Sequence, residues 1–195
     1  MTSLPLLLPL LLLFALLGAT VWHDVRARRI PNAIVFPGAL AAFALHALLP
    51  AGDGLFGGQV GGLGLLQSLG GWGLGLALLL PMYALRMMGA GDVKLLAMVG
   101  AFVGVDQILT VALATLLAGG VLALVFAAWQ RSLRRLVGNA WHMAMHTAVS
   151  ALTGSIVAPV APPQAASGRL PYAVAIAVAS AGCVLWIGMH GKLPL

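Results

Sequence analysis

The stretch Leu10-Leu11-Leu12-Leu13-Phe14-Ala15-Leu16-Leu17-Gly18-Ala19-Thr20-Val21-Trp22-His23-Asp24-Val25-Arg26-Ala27-Arg28-Arg29 decides the reading of the fold. It continues an uncharged run that begins at Leu4. No Lys or Arg precedes that run, and three arginines follow it. A secretory signal has the opposite order, with its positive charge ahead of the apolar core. The order seen here predicts a retained membrane helix over 4–21 whose C-terminal end faces the cytoplasm.

The rest of the chain agrees with that solvent. It has 195 residues, 62% hydrophobic and only 7% charged, whereas a soluble domain is about half apolar and a quarter charged. Such a surface is compatible with lipid, where backbone polar groups must be satisfied inside helices. At about 20 residues per crossing, the apolar segments allow about six helices. Further spans are expected over 33–49, 63–85, 93–105, 108–129 and 171–189. The expected fold is therefore all-α, one polytopic membrane domain covering 1–195. The fourth span is short, which predicts tilt or a locally thinned bilayer. Residues 130–170 read as a cytoplasmic loop. Within it, 137–153 has the look of an interfacial helix, and 158–168 is a Pro-rich linker.

Charge gives the orientation. With both termini outside, Arg26, Arg28, Arg29, Arg86, Lys94, Arg131, Arg134, Arg135 and Arg169 fall on the cytoplasmic side. Lys192 alone falls outside. The net charge of +6 is thus read as topology and headgroup contact. No basic stripe interleaved with aromatics suggests nucleic acid as a partner. The single cysteine, Cys183, permits neither an internal disulfide nor a Cys-x-x-Cys zinc site. Gly71 and Gly75, like Gly57 and Gly61, are spaced for close helix packing and carry no chemistry.

The acids are the informative residues. There are four, and no glutamate. The orientation puts Asp53 and Asp106 on the outer side and Asp24 and Asp92 on the cytoplasmic side. Ionisable groups beside membrane segments are costly and are functional candidates by default. Two carboxylates held close share one proton. One can then activate water while the other donates to a carbonyl. Taken singly, Asp24 reads as a partner for a neighbouring arginine and Asp92 as a helix cap. Taken together at one depth, they read as a catalytic pair.

Other constellations are weaker. His142 and His146 share a helical face, but no Glu follows His142 as a zincin motif requires, and no metal is expected. His23 and His46 read as interfacial or core histidines. No Gly-x-Ser-x-Gly or phosphate-binding glycine loop is present. Lys94 lies two residues past Asp92, off its helical face, and reads as snorkelling to headgroups.

Three segments carry a family resemblance. His23-Asp24-Val25-Arg26 with Arg29-Ile30-Pro31-Asn32 resembles the first conserved segment of type IV prepilin peptidases. Gly89-Ala90-Gly91-Asp92-Val93-Lys94 resembles their Gly-x-Gly-Asp-x-Lys segment. Arg169-Leu170-Pro171-Tyr172-Ala173 is similar to the Pro-Tyr-Gly segment of the short, Flp/Tad-type members, with Ala173 in place of glycine.

The resemblance implies an aspartic endopeptidase of the bacterial inner membrane. It would remove the leader of prepilin or pseudopilin subunits at the cytoplasmic face, for pilus or secretion-system assembly. The cut would follow a glycine and precede the subunit's apolar helix. Asp24 and Asp92 map onto the paired aspartates. Gly89, Gly91, Lys94, Pro31, Asn32, Pro171 and Tyr172 would shape the site or bind substrate. No cofactor is implied, and the partners are the prepilin-like substrate and the bilayer. The cysteine-bearing methyltransferase domain of larger members has no counterpart here. Presenilin-like peptidases fit less well, since they carry Tyr-Asp for the first acid and Pro-Ala-Leu before the last helix. A proton-coupled transporter would favour acids at the midplane and an internal repeat, and neither is seen. A non-enzymatic assembly subunit would tolerate loss of both aspartates.

Overall fold

The computed structural model describes residues 4–52, 54, 61–85, 88–129 and 172–190, with the single residues Gly138, Trp141 and Met145. Those three are helical. Asp53, Arg86, the remainder of 130–171 (with His142, His146 and the linker) and Lys192 lie outside the described residues. Among the described residues the named elements are six α-helices: α1 Leu4–Ala27, α2 Asn32–Leu48, α3 Leu65–Ala84, α4 Ala90–Val103, α5 Val105–Trp129 and α6 Tyr172–His190. None of the described residues belongs to an extended strand; Ala51 and Gly62 form one isolated bridge.

Among the described residues, three segments are long and apolar enough to cross a membrane: Leu8–Ala27, Leu65–Ala84 and Val105–Phe126. Asn32–Leu48 and Tyr172–Trp186 are shorter apolar helices. The fourth segment differs from expectation in kind. Helix α4 is enclosed, in contact with all five other helices, and Val93 and Leu95–Val103 are buried all round. A helix apolar on every face belongs in the interior. Its shortness therefore reflects a position inside the bundle, with neighbours on every side.

Close approach makes that position possible. An added Cβ on Gly71 of α3 would overlap the carbonyl oxygen of Gly100 on α4, and one on Gly100 would overlap the carbonyl of Gly71. One turn along α3, a Cβ on Gly75 would come within 2.8 Å of the Leu96 oxygen. The two backbones touch, as small residues allow in lipid. At the end of α4 remote from Asp92, polar groups are satisfied across elements. Ser68 Oγ donates to the Ala101 carbonyl at 2.6 Å. His46, buried, donates from Nε2 to the Phe102 carbonyl (3.0 Å) and accepts the Leu63 N–H at Nδ1 (3.2 Å). Both ring nitrogens are thereby used by one neutral tautomer.

Helix ends differ from the hydropathy boundaries in one consequential way. Helix α1 continues six residues past the expected end, through His23, Asp24 and Arg26. Hydropathy marks where lipid ends, but the helix persists into the polar layer because nothing breaks it before Arg28. That residue has φ 49, a left-handed conformation that costs a non-glycine residue about 1–2 kcal/mol. Its N–H donates to the Asp24 carbonyl at 2.8 Å, closing α1. Pro31, extended, then opens α2 and accepts from the N–H groups of Ile34 and Val35.

Candidate active site

Asp24 occupies the last turns of α1, and its place on a helix fixes its direction. It is buried at 7% exposure while Val25, Arg26, Arg28 and Arg29 beside it are exposed. Arg26 stacks over Trp22, 4.2 Å from the ring centroid. The Asp24 carboxylate accepts the Ala173 N–H at 3.2 Å. Ala173 is the second residue of α6, so this N–H is one of those a helix start leaves without an internal partner. The positive end of α6 also favours a negative charge there. The charge of Arg28, as the sequence suggested, acts on this carboxylate, and a helix start 149 residues away adds a hydrogen bond.

Asp92 reaches the same region from α4. Gly89 is extended (φ −78, ψ 148) and Ala90 begins the helix. Asp92 is therefore in the third helical position, not at the cap. Its Oδ2 accepts the Gly89 N–H at 3.3 Å, and its own N–H donates to the Gly89 carbonyl at 3.2 Å. The flanking glycines have a spatial reason. A Cβ on Gly89 would lie 3.2 Å from Asp92 Oδ2, and one on Gly91 would lie 3.1 Å from Ile30 Cβ. Gly91 thus lets the start of α4 abut buried Ile30 in the α1–α2 turn.

Asp24 and Asp92 line one cavity of about 1000 Å³. The expected site residues Pro31, Asn32, Gly89, Gly91, Lys94 and Tyr172 line it too; Pro171 lies outside the described residues. Lys94 is not merely a headgroup anchor. Its Nζ donates to Asn32 Oδ1 at 3.2 Å and sits 5.3 Å from the Phe36 ring centroid, tying α4 to α2. Tyr172, half-buried, brings α6 to the cavity; a Cβ on Gly119 of α5 would collide with its hydroxyl. His23, Arg28, Arg29 and Ile30 also line the cavity. Ile30 lay in the first motif and Ala173 in the third, but nothing in the sequence marked Gly119 as a neighbour of the site. Asp106, exposed in the first turn of α5, follows the opposite end of α4.

Asp92 precedes the apolar stretch of α4. Burial first, and then the Asp24 charge, push its carboxyl up to about 6, while the Gly89 N–H opposes the rise. The two carboxyls are thus suited to hold one proton between them. The sign is definite. Relative to an unfolded-state value of 3.8, the native state is favoured fully below that value. The contribution fades as pH rises through about 6. Asp24→Asn should lower the Asp92 pKa, because it removes one of the two raising causes. Infrared or carbon NMR titration of the Asp92 carboxyl checks this, and an unchanged midpoint would mean the two acids do not interact. Among the described residues no group of three or more His, Cys, Asp or Glu comes together to hold a metal.

A family model described as the type IV leader peptidase family matches residues 11–124, more than half the chain. The chain belongs to the type IV leader peptidase family. It is a peptidase, and its apolar helices make it a membrane protein. The matched region of this leader peptidase contains both cavity aspartates. Helix α6 lies beyond it, so Tyr172 and Ala173 reach the cavity from outside the matched segment. No curated protein and no solved structure matches the chain.

Proposed function

We propose that this peptidase is an aspartic endopeptidase that removes the leader from prepilin or pseudopilin subunits at the cytoplasmic face of the bacterial inner membrane. Its product would serve pilus or secretion-system assembly. The observation that carries the reading is the shared cavity, which Asp24 lines from α1 and Asp92 from α4.

Water bound between the carboxyls gives its proton to ionised Asp24 as its oxygen attacks the scissile carbonyl carbon. Protonated Asp92 donates to the carbonyl oxygen as negative charge develops there. When the C–N bond breaks, Asp24 returns its proton to the leaving amine, and the hydroxyl proton of the intermediate returns to Asp92. The cycle closes with the shared proton restored and requires no metal or cofactor. The alkaline limb of kcat/KM should then fall with an apparent pKa near 6, belonging to the pair.

The orientation proposed has six crossings and both termini outside, supported by the basic residues clustered on the side of Asp24 and Asp92. Cysteine labelling at position 23 from the periplasmic side would overturn it. The lipid bilayer and the prepilin-like substrate are the partners proposed, and nucleic acid is not.

Co-expression with a candidate prepilin tests the reading. Mass spectrometry of the subunit should show loss of the leader and a free, unmethylated N-terminus. A subunit that stays full-length beside membrane-inserted peptidase would refute the endopeptidase assignment.

A further inference from the structure

A second concavity, about 320 Å³, lies between α1 and α6. Phe14, Leu17, Gly18 and Val21 line it from α1, and Val174, Ala177, Val178 and Ala181 from α6. Every one of these side chains is apolar, and Val178 is 60% exposed. Two features distinguish it from ordinary lipid-facing surface. Small residues line it from both helices, Gly18 from α1 and Ala177 and Ala181 from α6, and a Cβ on Gly18 would meet nothing within 4 Å. Small residues are what let one membrane helix approach another closely. The groove is also aligned with the aspartate cavity. Leu17, Val21 and Asp24 stand at i, i+4 and i+7 on α1, one stripe of the helix. On α6, Val174 directly follows Ala173, whose N–H holds the Asp24 carboxylate. From Phe14 to Asp24 is about 15 Å along the axis, nearly three turns.

We propose that this groove docks the apolar helix of the membrane-anchored substrate while the peptide bond to be cut lies at Asp24 and Asp92. The proposal rests on the prepilin reading, which requires a scissile bond immediately ahead of an apolar helix. The continuity argues for that occupant. A bond held between Asp24 and Asp92 leaves the following residues one turn from Val21 and Val174, where a lining of mixed polar and apolar groups gives way to a wholly apolar one. A helix seated there keeps its backbone hydrogen bonds in lipid. The aspartate cavity beyond it, with its charged and polar groups, accommodates the unwound segment that hydrolysis requires. The groove thus sets the position of the cut relative to the start of the helix.

Gly18→Leu and Ala177→Leu fill the groove without touching the cavity, and Leu is the better helix former at position 18. Each variant is assayed on two substrates. One is a full prepilin in membranes; the other is a peptide that spans the cleavage site and ends before the apolar helix. The expected result is a fall in kcat/KM of about tenfold or more on the full prepilin, expressed mainly in KM, with peptide cleavage unchanged. A cysteine at position 18, with Cys183→Ala and Asp92→Asn, should also form a disulfide with a cysteine placed in the prepilin helix. Equal loss on both substrates would show that the groove only supports the cavity and would overturn the proposal. Unchanged rates on both, without the cross-link, would leave the groove to lipid or a second copy and overturn it equally. If wild-type protein cuts neither substrate, the prepilin reading itself fails and the docking proposal falls with it.

Discussion

Asp24→Asn and Asp92→Asn should each reduce leader removal by about 10³-fold or more, because either loss disables an acid–base pair that acts on one transition state. Asparagine preserves size in both places. At position 24 it still offers an oxygen to the Ala173 N–H, yet it cannot take a proton from water. At position 92 it still closes on the Gly89 N–H, yet it cannot carry the shared proton. The fold should therefore survive both changes, and blots of membrane fractions should show wild-type levels. Asp106→Asn is the matched control. Its side chain is exposed in the first turn of α5, beyond the opposite end of α4 from Asp92, and processing should stay near normal. A double Asp24→Asn, Asp92→Asn variant should be hardly worse than either single one, since the two residues act as a unit. Cleavage close to the wild-type rate in either single variant would remove the dyad assignment. A non-enzymatic assembly subunit would give that outcome.

The largest effect on stability is expected at the contact between α3 and α4. Gly100→Val places a Cβ where the Gly71 carbonyl already stands, with Ile108 Cδ1 3.3 Å away on another side. The obstacle is backbone on an opposing helix, so no side-chain rotation relieves it. Overpacking in a filled interior costs about 1–3 kcal/mol and sometimes more, and here α4 would have to move bodily. Gly71→Val meets the same obstacle from the other side, against the Gly100 oxygen and the Gly104 Cα at 2.8 Å. Because α4 carries Asp92, both variants should lose activity along with stability. Gly73→Val is the internal control, since nothing lies within 4 Å of an added Cβ there. Thermal unfolding in detergent should separate the three, with the first two melting well below the third. Equal melting of all three would mean that α3 and α4 are not in backbone contact.

Much of this was legible in residue order. Membrane character follows from an apolar excess that no soluble surface could hide, and the first helix from a run whose arginines come after it. Asp24 and Asp92 stood out because, in a chain with four acids and no glutamate, these two fall together on the cytoplasmic side of the expected orientation, each at the end of a membrane segment. The Gly-x-Gly-Asp spacing marked the start of α4, and the glycine spacing in α3 marked a packing face. These are local properties, set by solvent, charge and steric size along a short stretch of chain.

What the sequence by itself determined was the solvent of each segment and the identity of the two acids. Only the tertiary structure decided how they are used. Hydropathy cannot show that α4 is enclosed, because an apolar residue reads the same against lipid as against another helix. Nor can it show that α1 carries Asp24 inward while the adjoining arginines stay out, since that depends on helical phase continuing past the apolar run. The bond from Ala173 to Asp24 joins positions 149 residues apart, with Ala173 beyond the segment that the family match covers. A free N–H at a helix start is present in every helix. It holds a carboxylate only where packing sets the two together, and packing of α1 against α6 is a property of the whole bundle.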